Sequence, residues 1–523
     1  MTTSVTINRL PTGVPGLDQV LGGGIPEFSF ILIAGQPGSG KTTLAHQIMF
    51  SLAMPQRPAI YFTVLGEPPL KMLRYQQQFG FFDSAAINQS IRFVNLSDVA
   101  LTGDLGLVLQ RIEEEVTAFG PGLVFVDSFR SAMLVSETVI GDRGTMQQFV
   151  QQLGGLMTSW QATTFLIGEY FDETGSNPIF TVADGLIWMR QSVLRNSMVR
   201  KLEVRKMRGQ PTIPGLHTFR ISLGGIEVFA PLGSNTKSIF DVTPPNQRPR
   251  VKMGVPGLDD MLGGGLPRGY SVLVAGPSGS GKSILATAFL AEGVRSGEAG
   301  VMVAFEQRPS PVRNSELFNL IASGRVGLVD TNAPDLSIDE TVVLLMNEVR
   351  RLDAKRVVID SLSGFELSLP PTFRDDFRES LLRLVASLAD SGITVLVTSE
   401  LEDRYTDLRF SPYGAAFLTD AIIVQRYIEL GSRLRRVMAV VKVRASAHSD
   451  ELREFSIDAS GIRIGEKLAD QEGLLGGRPT KKAPSADDAP EPIADTSDVH
   501  AHDANTDAET NLSAVVHAHD PQP

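Results

Sequence analysis

Two glycine-rich stretches decide the fold of this chain: GQPGSGKT at residues 35–42 and GPSGSGKS at residues 276–283. Each follows a short apolar run and precedes a segment of helical length. In a loop of this pattern the glycines let backbone N–H groups surround a phosphate, and the positive end of the following helix faces the same anion. The sequence therefore predicts two phosphate-binding loops, each between a strand and a helix.

The side chains of both loops predict ATP and Mg²⁺ as cofactors. Lys41 and Lys282 are expected to reach the β- and γ-phosphates, and the hydroxyls of Thr42 and Ser283 to ligate Mg²⁺. The predicted nucleotide-binding residues are Gly35, Gly38, Ser39, Gly40, Lys41, Thr42 and Thr43 in the first loop, and Gly276, Gly279, Ser280, Gly281, Lys282 and Ser283 in the second.

Both loops belong to a long internal repeat. GVPGLDQVLGGGIP at residues 13–26 recurs as GVPGLDDMLGGGLP at residues 254–267, and the same offset relates the two loops. Within each copy, apolar runs without alternation are separated by helical segments, a pattern typical of a parallel sheet buried on both faces. We predict the α/β class, with two tandem RecA-like P-loop NTPase domains and mainly parallel sheets. Adjacent strands at 186–208 and 421–444 predict hairpins on the far edge of each sheet.

Length and composition divide the 523 residues further. A chain of this length is too long to fold around one hydrophobic core. The Pro- and Asn-rich stretch at 233–250 is interpreted as a linker between the copies. The predicted domains are 1–240 and 241–467, followed by a disordered acidic tail at 468–523 that contains His. Residues 483–523 hold nine acidic residues and no Lys or Arg, so most of the net charge of −11 belongs to the tail.

Composition also excludes several classes of protein. The chain has no Cys, which rules out disulfide frameworks, zinc–thiolate sites and thiol nucleophiles. No run of about 20 apolar residues suggests a membrane span, and the N-terminal residues lack a secretory signal pattern. We expect a cytoplasmic protein without a membrane partner.

Acidic residues at the ends of apolar runs are candidates for metal binding and catalysis. Asp127 and Asp360 end the runs LVFVD and RVVID, where each would hold Mg²⁺. Glu306 and Glu67 follow the strand after the loop helix, where a carboxylate would orient a water or a protein hydroxyl against the γ-phosphate. Glu169 and Glu400 end later strands and are weaker candidates for sensing the γ-phosphate; a helix cap or a solvated loop acid is the alternative in each case.

A pair of basic residues recurs late in each copy: Lys206 with Arg208, and Lys442 with Arg444. Residues two apart on a strand face the same side, so each pair could present two cations to a phosphate. Such a pair can complete a neighbouring subunit's site as an arginine finger. This hypothesis implies a ring with sites between subunits, whereas a solvated strand pair is the simpler interpretation.

Together the duplicated preamble, both loops, the Asp-Ser strand ends, the strand-end Glu and the Lys-x-Arg hairpins resemble the KaiC family over roughly residues 5–465. The resemblance implies a homohexameric double ring with ATP between protomers, an ATPase in the first ring, autophosphorylation on Ser and Thr in the second, and signalling protein partners. The family's Glu-Glu pair is replaced by Gly66-Glu67 and Glu306-Gln307. Ala416 and Phe417 stand where the adjacent phosphorylated residues would be, and neither has a hydroxyl; Ser411 and Thr419 are the nearby alternatives.

Two other functions fit the same loops. One is a RecA- or DnaB-like DNA-dependent motor, which would need basic and aromatic residues along its channel. The chain has only two Trp and seven Tyr, and its densest basic cluster, residues 433–436, is also explained as a solvated hairpin turn, so a nucleic-acid partner is unfavoured. The other is a nucleotide-bound scaffold with little turnover.

Overall fold

The computed structural model describes residues 7–64, 69–128, 143–170, 178–194, 197–230, 247–305, 310–312, 314–330, 337–369, 377–401, 419–430, 432–468, 471–472 and 480–481. Two nine-stranded sheets dominate them, one in each half of the chain. Five neighbouring strand pairs in each sheet are parallel and three are antiparallel. The two tandem α/β domains with mainly parallel sheets are therefore confirmed.

The first domain contains eleven strands and seven helices among the described residues. The strands are β1 (Arg9–Leu10), β2 (Ile25–Pro26), β3 (Phe30–Gly35), β4 (Ala59–Thr63), β5 (Ile91–Asn95), β6 (Leu123–Asp127), β7 (Thr163–Glu169), β8 (Gly185–Leu194), β9 (Ser197–Met207), β10 (Leu216–Ser222) and β11 (Gly225–Phe229). The helices are α1 (Leu17–Leu21), α2 (Lys41–Leu52), α3 (Pro69–Gln76), α4 (Ser97–Ala100), α5 (Leu105–Phe119), α6 (Arg143–Ser159) and α7 (Pro178–Val182).

The second domain repeats this plan. Its strands are β12 (Arg250–Val251), β13 (Leu266–Pro267), β14 (Ser271–Gly276), β15 (Gly300–Ala304), β16 (Val326–Asp330), β17 (Arg356–Asp360), β18 (Thr394–Glu400), β19 (Ala421–Leu430), β20 (Arg433–Val443), β21 (Arg453–Asp458) and β22 (Gly461–Lys467). Its helices are α8 (Pro256–Met261), α9 (Lys282–Arg295), α10 (Ser315–Ala322), α11 (Ile338–Leu352), α12 (Leu362–Ser368) and α13 (Phe377–Asp390). A further pair, β23 (Gln471–Glu472) and β24 (Thr480–Lys481), lies in the segment predicted as a tail; most of that segment is outside the described residues.

Burial on both faces explains the continuous apolar runs. Along β3, Ile31 and Ile33 face a cluster that includes α1 and α2, whereas Leu32 and Ala34 face one that includes α5 and α6. The strand order β11-β10-β9-β8-β3-β7-β6-β4-β5 places β3 in the middle of the sheet. The loop at the end of β3 therefore opens near the centre of the carboxyl edge, where ligands of such sheets bind.

The late hairpins differ from the prediction in their position. β8 pairs directly with β3, and β9 is followed by β10 and β11, so the β8–β9 hairpin lies inside the sheet and β11 forms the edge. β19 and β20 are placed in the same way, with β22 at the edge. The prediction of far-edge hairpins was wrong because each sheet continues with a second hairpin.

The two domains of the chain contact each other through the first domain's late strands. Arg220 on β10 forms a hydrogen-bonded ion pair with the buried carboxylate of Glu340 on α11. Val199 on β9 is buried in the hydrophobic cluster that includes residues of α11. In the described part of the chain, no helix has the length and hydropathy that crossing a bilayer requires.

Candidate nucleotide site

Each phosphate loop runs directly into a helix, as predicted. α2 begins at Lys41 and α9 at Lys282, immediately after Gly40 and Gly281. These two glycines have φ near +100°, and a Cβ on either would lie within 2.8 Å of an isoleucine Cδ1, from Ile221 or Ile457. Only glycine fits there, because the backbone is left-handed and the space is filled.

Those two isoleucines come from β10 and β21, whose contact with the loops was not predicted from the sequence. Each strand belongs to the edge hairpin that follows the Lys-x-Arg strand. The glycine before each lysine was the only signal in the sequence. It indicates that another residue packs close to the loop, but not which residue.

The loop lysines fold back onto their own loops. Lys41 Nζ donates to the carbonyl oxygen of Gln36 at 2.7 Å, and Lys282 Nζ donates to those of Gly276 and Pro277, both at 2.8 Å. Burial lowers the pKa of Lys41, and the negative charges of Glu169 and Asp127 oppose that effect. A partly desolvated ammonium aimed along a glycine-rich loop is suited to binding an anion such as a triphosphate.

In the first domain, Asp127 lies against the start of the loop helix. Its Oδ2 accepts a hydrogen bond from Thr42 Oγ1 at 2.8 Å and another from the Tyr61 hydroxyl at 2.7 Å. Burial raises the pKa of Asp127, while the two hydroxyls and Lys41 pull it down. The predicted metal-binding residues Thr42 and Asp127 are thus in direct contact.

In the second domain, Asp360 is held from the other side. Its Oδ1 accepts a hydrogen bond from Thr398 Oγ1 on β18. A cavity of about 260 Å³ opens here, lined by Ser278, Gly279, Gly281, Lys282, Ser283, Ile284, Asp360, Ser361 and Glu400. In both domains the peptide bond after the aspartate is cis.

Both donor sets fit Mg²⁺. A hydroxyl oxygen and an aspartate oxygen are the hard ligands that Mg²⁺ uses, with phosphate oxygens and water completing its octahedron. Thr42 with Asp127, and Ser283 with Asp360, would hold the ion at the carboxyl edge of each sheet. A hydroxyl can ligate a cation and still donate its hydrogen, so the Thr42–Asp127 bond does not exclude this role.

The predicted glutamates divide into two groups. Glu169 pairs in register with Gly35, and Glu400 with Gly276, so both end strands beside the first glycine of their loop. Glu67 and Glu306 lie outside the described residues. β4 ends at Thr63 and β15 at Ala304, which leaves Glu306 nearer its strand end than Glu67. Ser411, Ala416 and Phe417 are also outside the described residues, and Thr419 is buried.

The Lys-x-Arg pairs are not placed beside this chain's own loops. Lys206 pairs with Leu186 on β8, and Leu186 pairs with Leu32 on β3. Leu32 lies three residues before Gly35, so Lys206 is about 10 Å from the loop along the strand direction. Lys206 Nζ donates to the carbonyl oxygen of Thr181 at 3.0 Å, and Arg208 pairs with Asp184 at 3.0 Å.

The second domain repeats this arrangement. Lys442 Nζ donates to the carbonyl oxygen of Thr419 at 2.8 Å, and an oxygen of Asp420 lies 3.6 Å from Arg444. Both pairs therefore lie toward the amino ends of the parallel strands, away from the loop of the same domain.

Comparison with known proteins agrees with this geometry. The chain is 27% identical to the "Circadian clock protein KaiC3" of Synechocystis sp., over 92% of this chain and 96% of that protein. It is 26% identical to the "Circadian clock oscillator protein KaiC" of Prochlorococcus marinus, over 90% and 95% of the two chains. The protein of the same name from Thermosynechococcus vestitus is 25% identical, over 92% and 93%.

The family model described as "ATPase: KaiC" matches twice, at residues 10–233 and 251–469. Each match spans one nine-stranded sheet and its phosphate loop. With two copies of the fold in tandem and a loop, a lysine and an aspartate in each, the chain belongs to the KaiC ATPase family.

Proposed function

We propose that the chain binds Mg²⁺-ATP at both loops and hydrolyses it within a homohexameric double ring. The observation that carries this proposal is the convergence of a loop lysine, a hydroxyl residue and a strand-end aspartate at the carboxyl edge of each sheet. These are the parts that phosphoryl transfer requires for positioning and charge stabilisation. Bound Mg²⁺ would offset the charge that develops on the phosphate oxygens.

The protein's own residues would divide the remaining work. Lys41 and Lys282 would bind the phosphates, and each aspartate would hold Mg²⁺ together with the hydroxyl of Thr42 or Ser283. Glu306 is the proposed residue that orients the attacking water in the second domain. Glu67 is the weaker candidate for this role in the first domain, since it lies farther along the chain from its strand.

In the proposed ring, a neighbouring copy would supply basic residues to each site. Lys206 with Arg208, and Lys442 with Arg444, lie at the opposite end of the sheet from their own loop, so they would serve a neighbouring copy. At present both lysines donate to backbone carbonyls, and a neighbour's γ-phosphate would be a stronger acceptor because it is charged. Nucleotide state would then signal to protein partners in the cytosol; the relatives' names assign those proteins to a circadian clock.

Kinase activity of the second domain is the finer part of the proposal. Thr419 is buried, which disfavours its hydroxyl as a phosphate acceptor. Ser411 is the remaining predicted acceptor. Incubation with γ-labelled ATP followed by site mapping tests this activity separately from hydrolysis.

The central test combines native mass spectrometry with a phosphate-release assay. We expect ATP to produce a complex of six chains carrying two nucleotides per chain, and phosphate release above background. Full occupancy with release at background would indicate the scaffold function instead. Turnover that depends on DNA and falls with salt would indicate the motor. Absence of any bound adenine nucleotide would contradict the proposal.

A further inference from the structure

Tyr61 is a buried hydroxyl residue in the first domain to which neither the loop motif nor the proposed function assigns a role. Its hydroxyl donates to Asp127 Oδ2 at 2.7 Å, on the same oxygen that accepts Thr42. Rotation of an aspartate about its last torsion is only weakly restricted. A second hydroxyl on the same oxygen therefore fixes the orientation of the carboxylate that faces the metal position.

The ring of Tyr61 is held by an aromatic ladder, which we define as Phe93, Tyr61, Phe125 and Phe165. These residues are in register across four neighbouring parallel strands, β5, β4, β6 and β7. The centroids of Tyr61 and Phe93 are 5.5 Å apart, those of Tyr61 and Phe125 are 5.9 Å apart, and those of Phe125 and Phe165 are 4.6 Å apart. Tyr61 is fully buried, so its hydroxyl is placed by the sheet and not by a mobile side chain.

The loop helix α2 also contacts the Tyr61 ring. His46 on α2 lies 4.6 Å from the Tyr61 ring, centroid to centroid. His46 is four residues after Thr42 and therefore on the same face of the helix. Tyr61 thus makes two contacts. Its ring packs against the helix that carries Thr42, and its hydroxyl donates to Asp127, the aspartate to which Thr42 also donates.

The second domain reaches the same result with a different residue. Met302 lies where Tyr61 does in the repeat, and the register partners of Met302 are aliphatic. Asp360 instead receives the hydroxyl of Thr398 from β18, the neighbour on the other side of its strand. Two unrelated positions supply a buried hydroxyl to the equivalent carboxylate, which a chance contact of a core tyrosine does not explain.

We infer that Tyr61 is a positioning residue for the metal site of the first domain, acting through Asp127. This inference rests on the proposed Mg²⁺-ATP function of that site. A residue behind a metal ligand typically changes metal affinity when its hydrogen bond is removed, by about 10- to 100-fold. If Tyr61 served packing alone, loss of its hydroxyl would leave metal affinity unchanged.

The test is Tyr61→Phe in the full chain with Lys282→Ala, so that metal binding reports the first domain. Mn²⁺ is the probe, and electron paramagnetic resonance measures free Mn²⁺ over protein loaded with ATPγS. We expect the Mn²⁺ dissociation constant to rise about tenfold or more. Metal-free nucleotide binding should be retained because the ring remains, and the lost hydrogen bond should lower the melting temperature by no more than a few degrees. A dissociation constant within about twofold of the parent would overturn the inference.

Two further variants keep the result specific. Phe93→Leu alters the ladder without touching Asp127, so it should lower the melting temperature and leave Mn²⁺ affinity unchanged. Ile167 pairs with Asp127 across β6 and β7, which is the position that Thr398 has beside Asp360. Adding Ile167→Thr to Tyr61→Phe should recover most of the lost affinity by copying the second domain's donor.

The outcomes distinguish a failure of the Tyr61 role from a failure of the proposed function. If the parent binds Mn²⁺ and nucleotide but Tyr61→Phe is indistinguishable from it, only the role of Tyr61 fails. If the parent itself takes up neither, the proposed function of the first domain fails, and the Tyr61 inference fails with it. A loss of affinity in Phe93→Leu equal to that in Tyr61→Phe would assign the effect to packing and overturn the inference.

Discussion

The two nucleotide sites share their loops and strand order but differ in what surrounds the aspartate. In the first domain an aromatic ladder carries a tyrosine hydroxyl to Asp127; in the second, the matching strand positions are Leu328, Met302, Val358 and Leu396, and a threonine supplies the hydroxyl. The loop motif therefore does not determine which residue holds the aspartate; the sheet beneath the loop does. The two sheets therefore hold an equivalent aspartate above different cores, one aromatic and one aliphatic.

The loops themselves differ in one polar contact. Ser280 Oγ donates to Gln425 at 3.0 Å, whereas Ser39 Oγ is buried with no hydrogen-bond partner among the described residues. Met189 occupies the position on β8 that Gln425 has on β19. The first loop is instead tied to β8 by Gln191, whose side-chain amide donates to the carbonyl oxygen of Pro37 at 3.3 Å.

The largest expected effect separates the two sites completely. Lys41→Ala should weaken nucleotide binding at the first site on the order of 100-fold, because a charged hydrogen-bond donor to phosphate is lost. Lys282→Ala should do the same at the second. Native mass spectrometry should show two nucleotides per chain fall to one in either variant and to none in the double variant. Full retention of both nucleotides in the double variant would contradict the assignment of the loops.

The next effect is on stability in acid, and it tests the first domain, which contains the aromatic ladder. Burial lowers the pKa of His46 to about 4, against a smaller opposing effect of Gln76. Unfolded His has its ordinary pKa of about 6.5, so between these values the unfolded state binds more protons and stability falls as the pH falls. From pH 6.5 to pH 5 this costs the first domain about 2 kcal/mol of unfolding free energy.

The second domain supplies the control for that effect, because Thr287 lies where His46 does in the repeat. Domain-resolved hydrogen exchange at several pH values should show the first domain losing protection before the second. His46→Thr should flatten the pH dependence of the first domain, whatever its effect at neutral pH. An unchanged slope in that variant would show that other groups cause the acid sensitivity.

The smallest effect concerns the contact between the domains. Arg220 pairs with Glu340, while the equivalent position on β21, Ser456, is exposed. Because Arg220 is itself partly exposed, Arg220→Ala should weaken the coupling of the domains by about 1 kcal/mol. Calorimetry should then show a wider separation of the two unfolding transitions. Ser456→Ala is the matched control and should leave the separation unchanged.

Several features could be predicted from the sequence with good physical reason. Phosphate-binding loops are local patterns, and the repeat offset links two of them, so both loops, both loop helices and the mainly parallel pairing of the strands followed directly. The strand-end positions of Asp127, Asp360, Glu169 and Glu400 were also predictable, since continuous apolar runs mark buried parallel strands. The roles of Glu67 and Glu306 stay predictions, as do the site roles assigned to the basic pairs.

Other features depend on which strands become neighbours. Three features depend on the pairing register between segments that are distant in sequence. Tyr61 contacts Asp127, Ile221 and Ile457 cover the loop glycines, and the Lys-x-Arg pairs lie at the opposite end of the strands from the loops. The local sequence of a strand does not indicate that register, because the same apolar run can pair with different neighbouring strands. The sequence by itself determined two phosphate loops on two α/β domains; only the tertiary structure decided which hydroxyl holds each aspartate.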